Sequence, residues 1–490
     1  MKTAHNHIIE KVFVEINTNN SEKAVAIKND ISEILSTKLF PQLETLFDTI
    51  ITDDKVLRIG SLQVKTSADV KQINEAVIAD VVSKIENGLK HATEEFGGQL
   101  VTDGFVTDDI KISEQQLVGK EFNDEQIFIN FIQTGALPWF AGKVKLEDIL
   151  ADENWFRLVA NQRFCKKLRR LLIGNKTNLL RFVKQIPLNN ILAFVFRLFP
   201  EFKSTENSIQ LIHNQLSAKE QPVFLHTTLQ LFFEIENHNK HVQIADEFFI
   251  AVEKFIRDNE FEGISGVNRN FEAFLQSELI RLTTLEKYKK KRELSVEKGK
   301  DNSVELSIEE EEKNKTSERK IKNESLHINN AGLVLLHPFL KTFFITTGIA
   351  DPSGKIGNDN LELATQALHF IATGRESVFE AELVFEKFLC GLPVHYPVIR
   401  ESLLIGEIRT EAEEMLAQAI QQWPELKNTS PNGMRESFIQ RNGILMKTEK
   451  GYKITVEAKT WDVLLDRLPW NYTIINWYLI DKLIFVEWQL

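Results

Sequence analysis

A chain of 490 residues with a net charge of −11, 43% apolar residues and two cysteines narrows its own possibilities. Its length implies about two to four domains of roughly 100–200 residues each, and its apolar fraction supplies an ordinary globular core. The acidic balance argues against general nucleic-acid binding, whose affinity comes from Lys and Arg; two distant thiols (Cys165 and Cys390) give no disulfide framework and point to a reducing compartment.

The N-terminal residues show no apolar signal-peptide core. No run reaches the ~18 unbroken apolar residues of a membrane span, so a cytoplasmic protein is expected. Residues 8–16 are β-branched and aromatic with partial alternation, which predicts a strand. Ser21 then reads as the cap of an amphipathic helix. A second strand is expected at 56–64 and a second amphipathic helix at about 72–96. Together these make a β-α-β-α domain over 1–112.

From 113 to 285 the pattern is helical, punctuated by Pro138, Pro187, Pro200 and Pro222. The stretches 191–199 and 223–233 are apolar almost all round and should be interior helices. Over 286–324, 23 of 39 residues are charged, with a basic run at 289–292 and four glutamates at 309–312. Such a segment buries too little apolar surface to offset its ordering entropy and reads as a disordered linker; opposed charge blocks are also compatible with an exposed helix. The C-terminal part, 325–490, is expected to hold helices at about 331–346, 360–373, 377–390 and 408–421. The first should be kinked at Pro338. A β-hairpin at 443–448 and 452–456 and a closing strand at 483–488 follow. The fold class is a predominantly α, multi-domain protein with small α+β portions at both ends.

No phosphate loop, dinucleotide fingerprint, zinc spacing or nucleophile elbow occurs, so no cofactor or metal is implied. His238 and His241, beside Glu234 and Glu236, fit either a weak metal pair or solvated histidines. Cys165 lies among cations that would lower a thiol pKa, yet helical spacing sets it on an apolar side, as a structural cysteine. Between Asn154 and Pro200 there are ten Lys or Arg and no Asp or Glu. That segregation reads as a solvated face balanced by acidic neighbours, or as a docking face for an acidic partner through Arg163, Lys166, Lys167, Arg169 and Arg170. The last thirty residues hold four of seven tryptophans, too much apolar area to leave in solvent. Trp139, Trp470, Trp477 and Trp488 are therefore the aromatic candidates for partner contact, and Trp139 and Trp470 close two Leu-Pro-Trp turns. Each such Trp is expected to pack on the helix that its turn ends.

Several of these segments carry a resemblance: 7–16, the turn at 134–140, 329–339, 389–393, and the 468–470 turn with its Val486-Glu487-Trp488 close. In that order and spacing, they resemble the contractile injection system tape measure protein family across nearly the whole chain. The resemblance implies a non-enzymatic component of a phage-tail-like particle. Such a component is expected to set tube length, occupy the lumen and contact tube, baseplate or cap proteins. It implies no nucleic acid and no membrane insertion, with assembly in the cytoplasm and a place inside the released particle. The alternatives are an assembly chaperone or cap adaptor of the same particle, a metal-dependent enzyme, or a particle-borne effector. As one helix, 490 residues would span roughly 735 Å. As one globule they would have a radius of gyration of about 23 Å. The turns, hairpin and aromatic corners favour the folded form.

Overall fold

The computed structural model describes residues 7, 9, 12–18, 21–50, 55–67, 75–94, 107, 109–142, 144–235, 241–258, 269–297 and 325–489. The protein is mainly helical with a small sheet toward each end, as the sequence pattern predicts. The chain folds as two compact units: 1–131 with 137–154, and 132–136 with 155–490.

The first unit contains α1 (Ser21–Ile34), α2 (Phe40–Ile50), β1 (Lys55–Val64), α3 (Glu75–Glu94), β2 (Ile110–Gly119), most of α4 (Lys120–Thr134) and α5 (Leu146–Leu150). A π-turn at Leu35–Leu39 joins α1 to α2. β1 and β2 form a two-stranded antiparallel ribbon, with Lys55 opposite Gly119 and Val64 opposite Ile110. Leu43, Leu46, Ile85, Leu89, Ile110 and Ile112 make its core. Gly88 permits the closest approach of α3 to the ribbon, since a Cβ there would lie 2.5 Å from Ile110 Cδ1.

Two expectations fail here. The described residues 12–18 belong to no helix or strand. Conversely, 110–119 is a strand, although its later half was assigned to the helical region. The β-branched composition of this run did not suffice, because a strand exists only where another chain segment supplies its ladder.

The second unit opens with a helical layer: α6 (Asp152–Ala160, whose first residues belong to the first unit), α7 (Gln162–Gly174), α8 (Lys176–Gln185), α9 (Leu188–Leu198), α10 (Glu206–Gln215), α11 (Gln221–Ile235), α12 (His241–Asp258) and α13 (Arg269–Glu297). α9 and α11 are the interior helices expected; Phe194, Val195, Phe224 and Leu231 are buried. The abundance of Phe is explained in this layer, where Phe202 stacks on Phe232 at 4.2 Å and Phe249 meets Phe232 edge-on at 6.2 Å. Residues 286–297, assigned from charge to the linker, continue α13 as helix, and 298–324 lie outside the described residues.

The same unit continues with β3 (Leu326–Ile328), α14 (His337–Thr346), α15 (Leu361–Thr373), α16 (Val384–Leu389), α17 (Gly406–Gln422), α18 (Pro431–Met434), β4 (Gly443–Lys447), β5 (Gly451–Glu457), β6 (Ile474–Ile475) and β7 (Leu483–Gln489). The sheet order is β3-β4-β5-β7-β6. The β4–β5 hairpin is antiparallel, and β7 returns parallel to β5, pairing Ile454 with Val486. No kink occurs at Pro338: a 3₁₀ turn (Ala331–Leu336) precedes α14, and Pro338 sits in its first turn, where a missing N–H costs nothing.

Candidate functional site

α7 and α8 are set by two asparagine caps. The Asn161 side chain accepts from the Arg163 and Phe164 amides at 2.9 and 3.4 Å, and Asn175 accepts from Thr177 and Asn178 at 2.8 and 3.3 Å. Each cap satisfies donors that would otherwise be orphaned in the first turn. The second cap explains why 162–185 is two helices and not one. Within α7, Phe164, Cys165, Leu168 and Leu172 are buried, and Arg163, Lys166, Arg170 and Ile173 are exposed. The spacing of 163, 166 and 170 places three cations on one stripe. Lys167 and Arg169 flank it half-buried, with the Arg169 guanidinium 5.8 Å from the Phe199 ring. Among the described residues, neither Arg163, Lys166, Arg170 nor the neighbouring Lys176 takes part in a salt bridge. The basic stripe is thus solvated, and no carboxylate among the described residues pairs with it.

Two cations of the same stretch have a different fate. Arg181 is fully buried; its Nε donates to Glu380 Oε2 at 3.0 Å and its two terminal nitrogens to the Ile132 and His395 carbonyls. Lys387 completes the cluster, donating to Glu380 Oε1 at 2.7 Å and the Val394 carbonyl at 2.9 Å. One turn along α8, Lys184 donates to Glu362 at 2.6 Å, and the Gln185 amide bridges the Val398 carbonyl and the Glu380 N–H. Burial pushes the Glu380 carboxyl up and the Lys387 ammonium down, each opposed by the facing charge. This cluster fastens α8 to the 379–400 segment of the same unit. Sequence reading counted Arg181 and Lys184 among the ten cations and missed their role. The available signal was their position in the run 179–186, where every other residue except Gln185 is apolar and a solvated cation has no place.

The tail tryptophans fold inward to different degrees. Trp477 is buried and donates its indole N–H to the Leu389 carbonyl at 2.7 Å. Trp470, half-buried, donates to the Leu335 carbonyl at 2.8 Å and meets Phe339 edge-on at 5.2 Å. It therefore packs on the 331–346 segment. Trp488 and Trp461 each stand 5.5 Å from the Arg441 guanidinium, which is itself buried and paired with Asp462 at 2.6 Å. A cation facing two indoles is a stabilising arrangement in a desolvated setting. Of Trp139 only the backbone is described, opening a 3₁₀ turn after Pro138. The basic stripe and the tail tryptophans lie in one unit but on separate elements.

The remaining candidates are quickly placed. Cys165 is buried with its thiol against the Val159 carbonyl at 3.1 Å, and burial raises its pKa to about 11 despite the Arg197 charge. The reading of a structural cysteine holds. His238 lies outside the described residues, as does the side chain of His241. Among the described residues no group of three His, Cys, Asp or Glu could hold a metal ion, and no helix is long and apolar enough to cross a membrane.

The family of contractile injection system tape measure proteins matches residues 6–488. This chain belongs to that family. The match spans both units, and the segments that carry the resemblance in the sequence fall inside it. Comparison with curated proteins and with solved structures returned no match. Family membership gives the protein a tape measure role in a contractile injection system.

Proposed function

We propose that this tape measure family member acts as a folded, non-catalytic assembly subunit, docking through the α7 stripe onto an acidic surface of the tube, baseplate or cap. The observation that carries the reading is the unneutralised row Arg163, Lys166 and Arg170 on a helix whose opposite face is locked in the core. Exposed like charges on a rigid element steer a complementary partner and set its register. The folded state has its own support. The longest described helix, α13 with 29 residues, reaches only about 43 Å at 1.5 Å per residue. Drawing the chain out along a lumen would also expose the Arg181–Glu380–Lys387 cluster and the core around it.

Reversing the stripe (Arg163→Glu, Lys166→Glu, Arg170→Glu) tests the proposal directly. Those side chains are exposed, so the far-ultraviolet circular dichroism of the purified protein should be unchanged. Particle yield should fall at least tenfold, and co-purification with particle subunits should be lost at low salt first. Normal yield and co-purification with all three cations reversed would sink the docking assignment.

A further inference from the structure

α17 carries a row of glutamates that matches the α7 stripe in reverse. Glu407 and Glu414 are exposed and Glu411 is half-exposed, and the spacing of 407, 411 and 414 sets the three on one side of the helix. The buried face of α17, with Ile408, Met415 and Leu416, is held in the core. Its other charges are taken up within the chain: Arg409 pairs with Glu376 at 2.8 Å, and Glu413 with Arg435 at 2.6 Å. Among the described residues, Glu407, Glu411 and Glu414 make no salt bridge and no side-chain hydrogen bond.

The α7 row of Arg163, Lys166 and Arg170 has intervals of three and four residues, and the α17 row has four and three. Laid antiparallel, the two fall in register. Arg163 then faces Glu414, Lys166 faces Glu411 and Arg170 faces Glu407, over about 10 Å of helix. The same register brings an apolar pair together. Ile173, 53% exposed, follows Arg170 by one turn, and Ile405, the 55% exposed N-cap of α17, precedes Glu407. Within one chain the two rows make no ion pair with each other.

We propose that the α7 stripe of one copy of this chain docks antiparallel on the α17 row of a second copy. Three features select a second copy: opposite charge at each of three positions, intervals that coincide when one helix is reversed, and an exposed isoleucine at the matching end of each row. The inference rests on α7 as the docking element. It adds that α17 offers the next copy an acidic surface of the kind α7 recognises, so that a copy seated on the particle receives another. The contact joins two different patches, so it is heterologous and propagates from copy to copy. Exposed ion pairs set register more than they add affinity, and salt screens them.

Multi-angle light scattering on the purified full chain, at low salt and tens of micromolar, tests this. The wild type should show a mass above that of one chain, rising with concentration. Reversing α17 (Glu407→Lys, Glu411→Lys, Glu414→Lys) should give monomer mass with an unchanged circular dichroism spectrum. Reversing α7 (Arg163→Glu, Lys166→Glu, Arg170→Glu) should do the same. An equimolar mixture of the two variants should associate again, because each supplies the row the other lacks. A control with the α17 charge change placed at exposed sites elsewhere (Glu436→Lys, Glu449→Lys, Asp481→Lys) should associate like the wild type. A monomeric wild type, an α17 reversal that still associates, a mixture that stays monomeric or a control that dissociates overturns the proposal. The two readings fail separately: this one on the mass of the α17 variant, whose α7 stripe is intact, and the docking reading on co-purification of the α7 variant with particle subunits.

Discussion

Removing the Glu380 carboxylate by Glu380→Ala leaves Arg181 and Lys387 facing each other with no anion between them. The pairs are close, Nε to Oε2 at 3.0 Å and Nζ to Oε1 at 2.7 Å, and all three side chains are almost wholly shielded from water. Breaking a buried ion pair from one side costs about 3–5 kcal/mol, because the remaining charge is desolvated and uncompensated. With a urea slope of about 3 kcal/mol per molar, the unfolding midpoint of the second unit should fall by about 1–1.7 M. Glu376→Ala is the internal control. Its pair with Arg409, 2.8 Å long, is 46% and 37% exposed. That change should cost no more than about 1 kcal/mol. The assay is urea titration followed by tryptophan fluorescence, which reports on the tail. Equal midpoints for the two variants would refute the argument that burial of the cluster fastens α8 to the 379–400 segment.

Two further outcomes follow from titrating groups. Burial holds the Cys165 thiol at about 11 and the Cys390 thiol at about 12. Neither should react with a thiol-specific reagent at pH 8 in the native protein, and both should react once the chain is unfolded; rapid native labelling would contradict the packing. His226, buried in α11 and near Lys176, has its pKa lowered to about 4, chiefly by burial. The unfolded chain accepts this proton below about pH 6.5 and the folded one resists until about pH 4, so stability should fall as pH drops through that window. The loss attributable to this residue reaches about 3 kcal/mol at the acidic end. His226→Gln should flatten the pH dependence of the urea midpoint between pH 6.5 and 4, and an unaltered slope would count against it.

How much of this was legible in the sequence depends on how local each signal is. The amphipathic helices α1, α3 and α7, the β4–β5 hairpin and the closing strand β7 follow from periodicity and turn residues. Each is encoded within its own segment. What failed required a distant partner. The β-prone run at 8–16 was read as the first strand of the opening β-α-β-α unit, whereas the strand that pairs with β1 comes from 110–119. Arg181 and Glu380 are 199 positions apart, and nothing in either neighbourhood names the other. The tail was legible as buried matter, but not that Trp477 would reach the Leu389 carbonyl, 88 residues upstream. In the basic stretch, composition alone could not separate the exposed Arg163, Lys166 and Arg170 from the buried Arg181 and Lys184. The difference lies in which face of each helix the core covers.

The most direct test of the central claim, that this tape measure family member works as a folded subunit, is particle length. A 60-residue helix-forming insertion between residues 310 and 311 would lengthen a contour ruler by about 90 Å at 1.5 Å per residue. Electron microscopy of particles assembled with the lengthened chain should show an unchanged mean tube length if the folded units act through their surfaces. A shift of the whole length distribution by about that amount would contradict the account and establish the chain as an extended ruler.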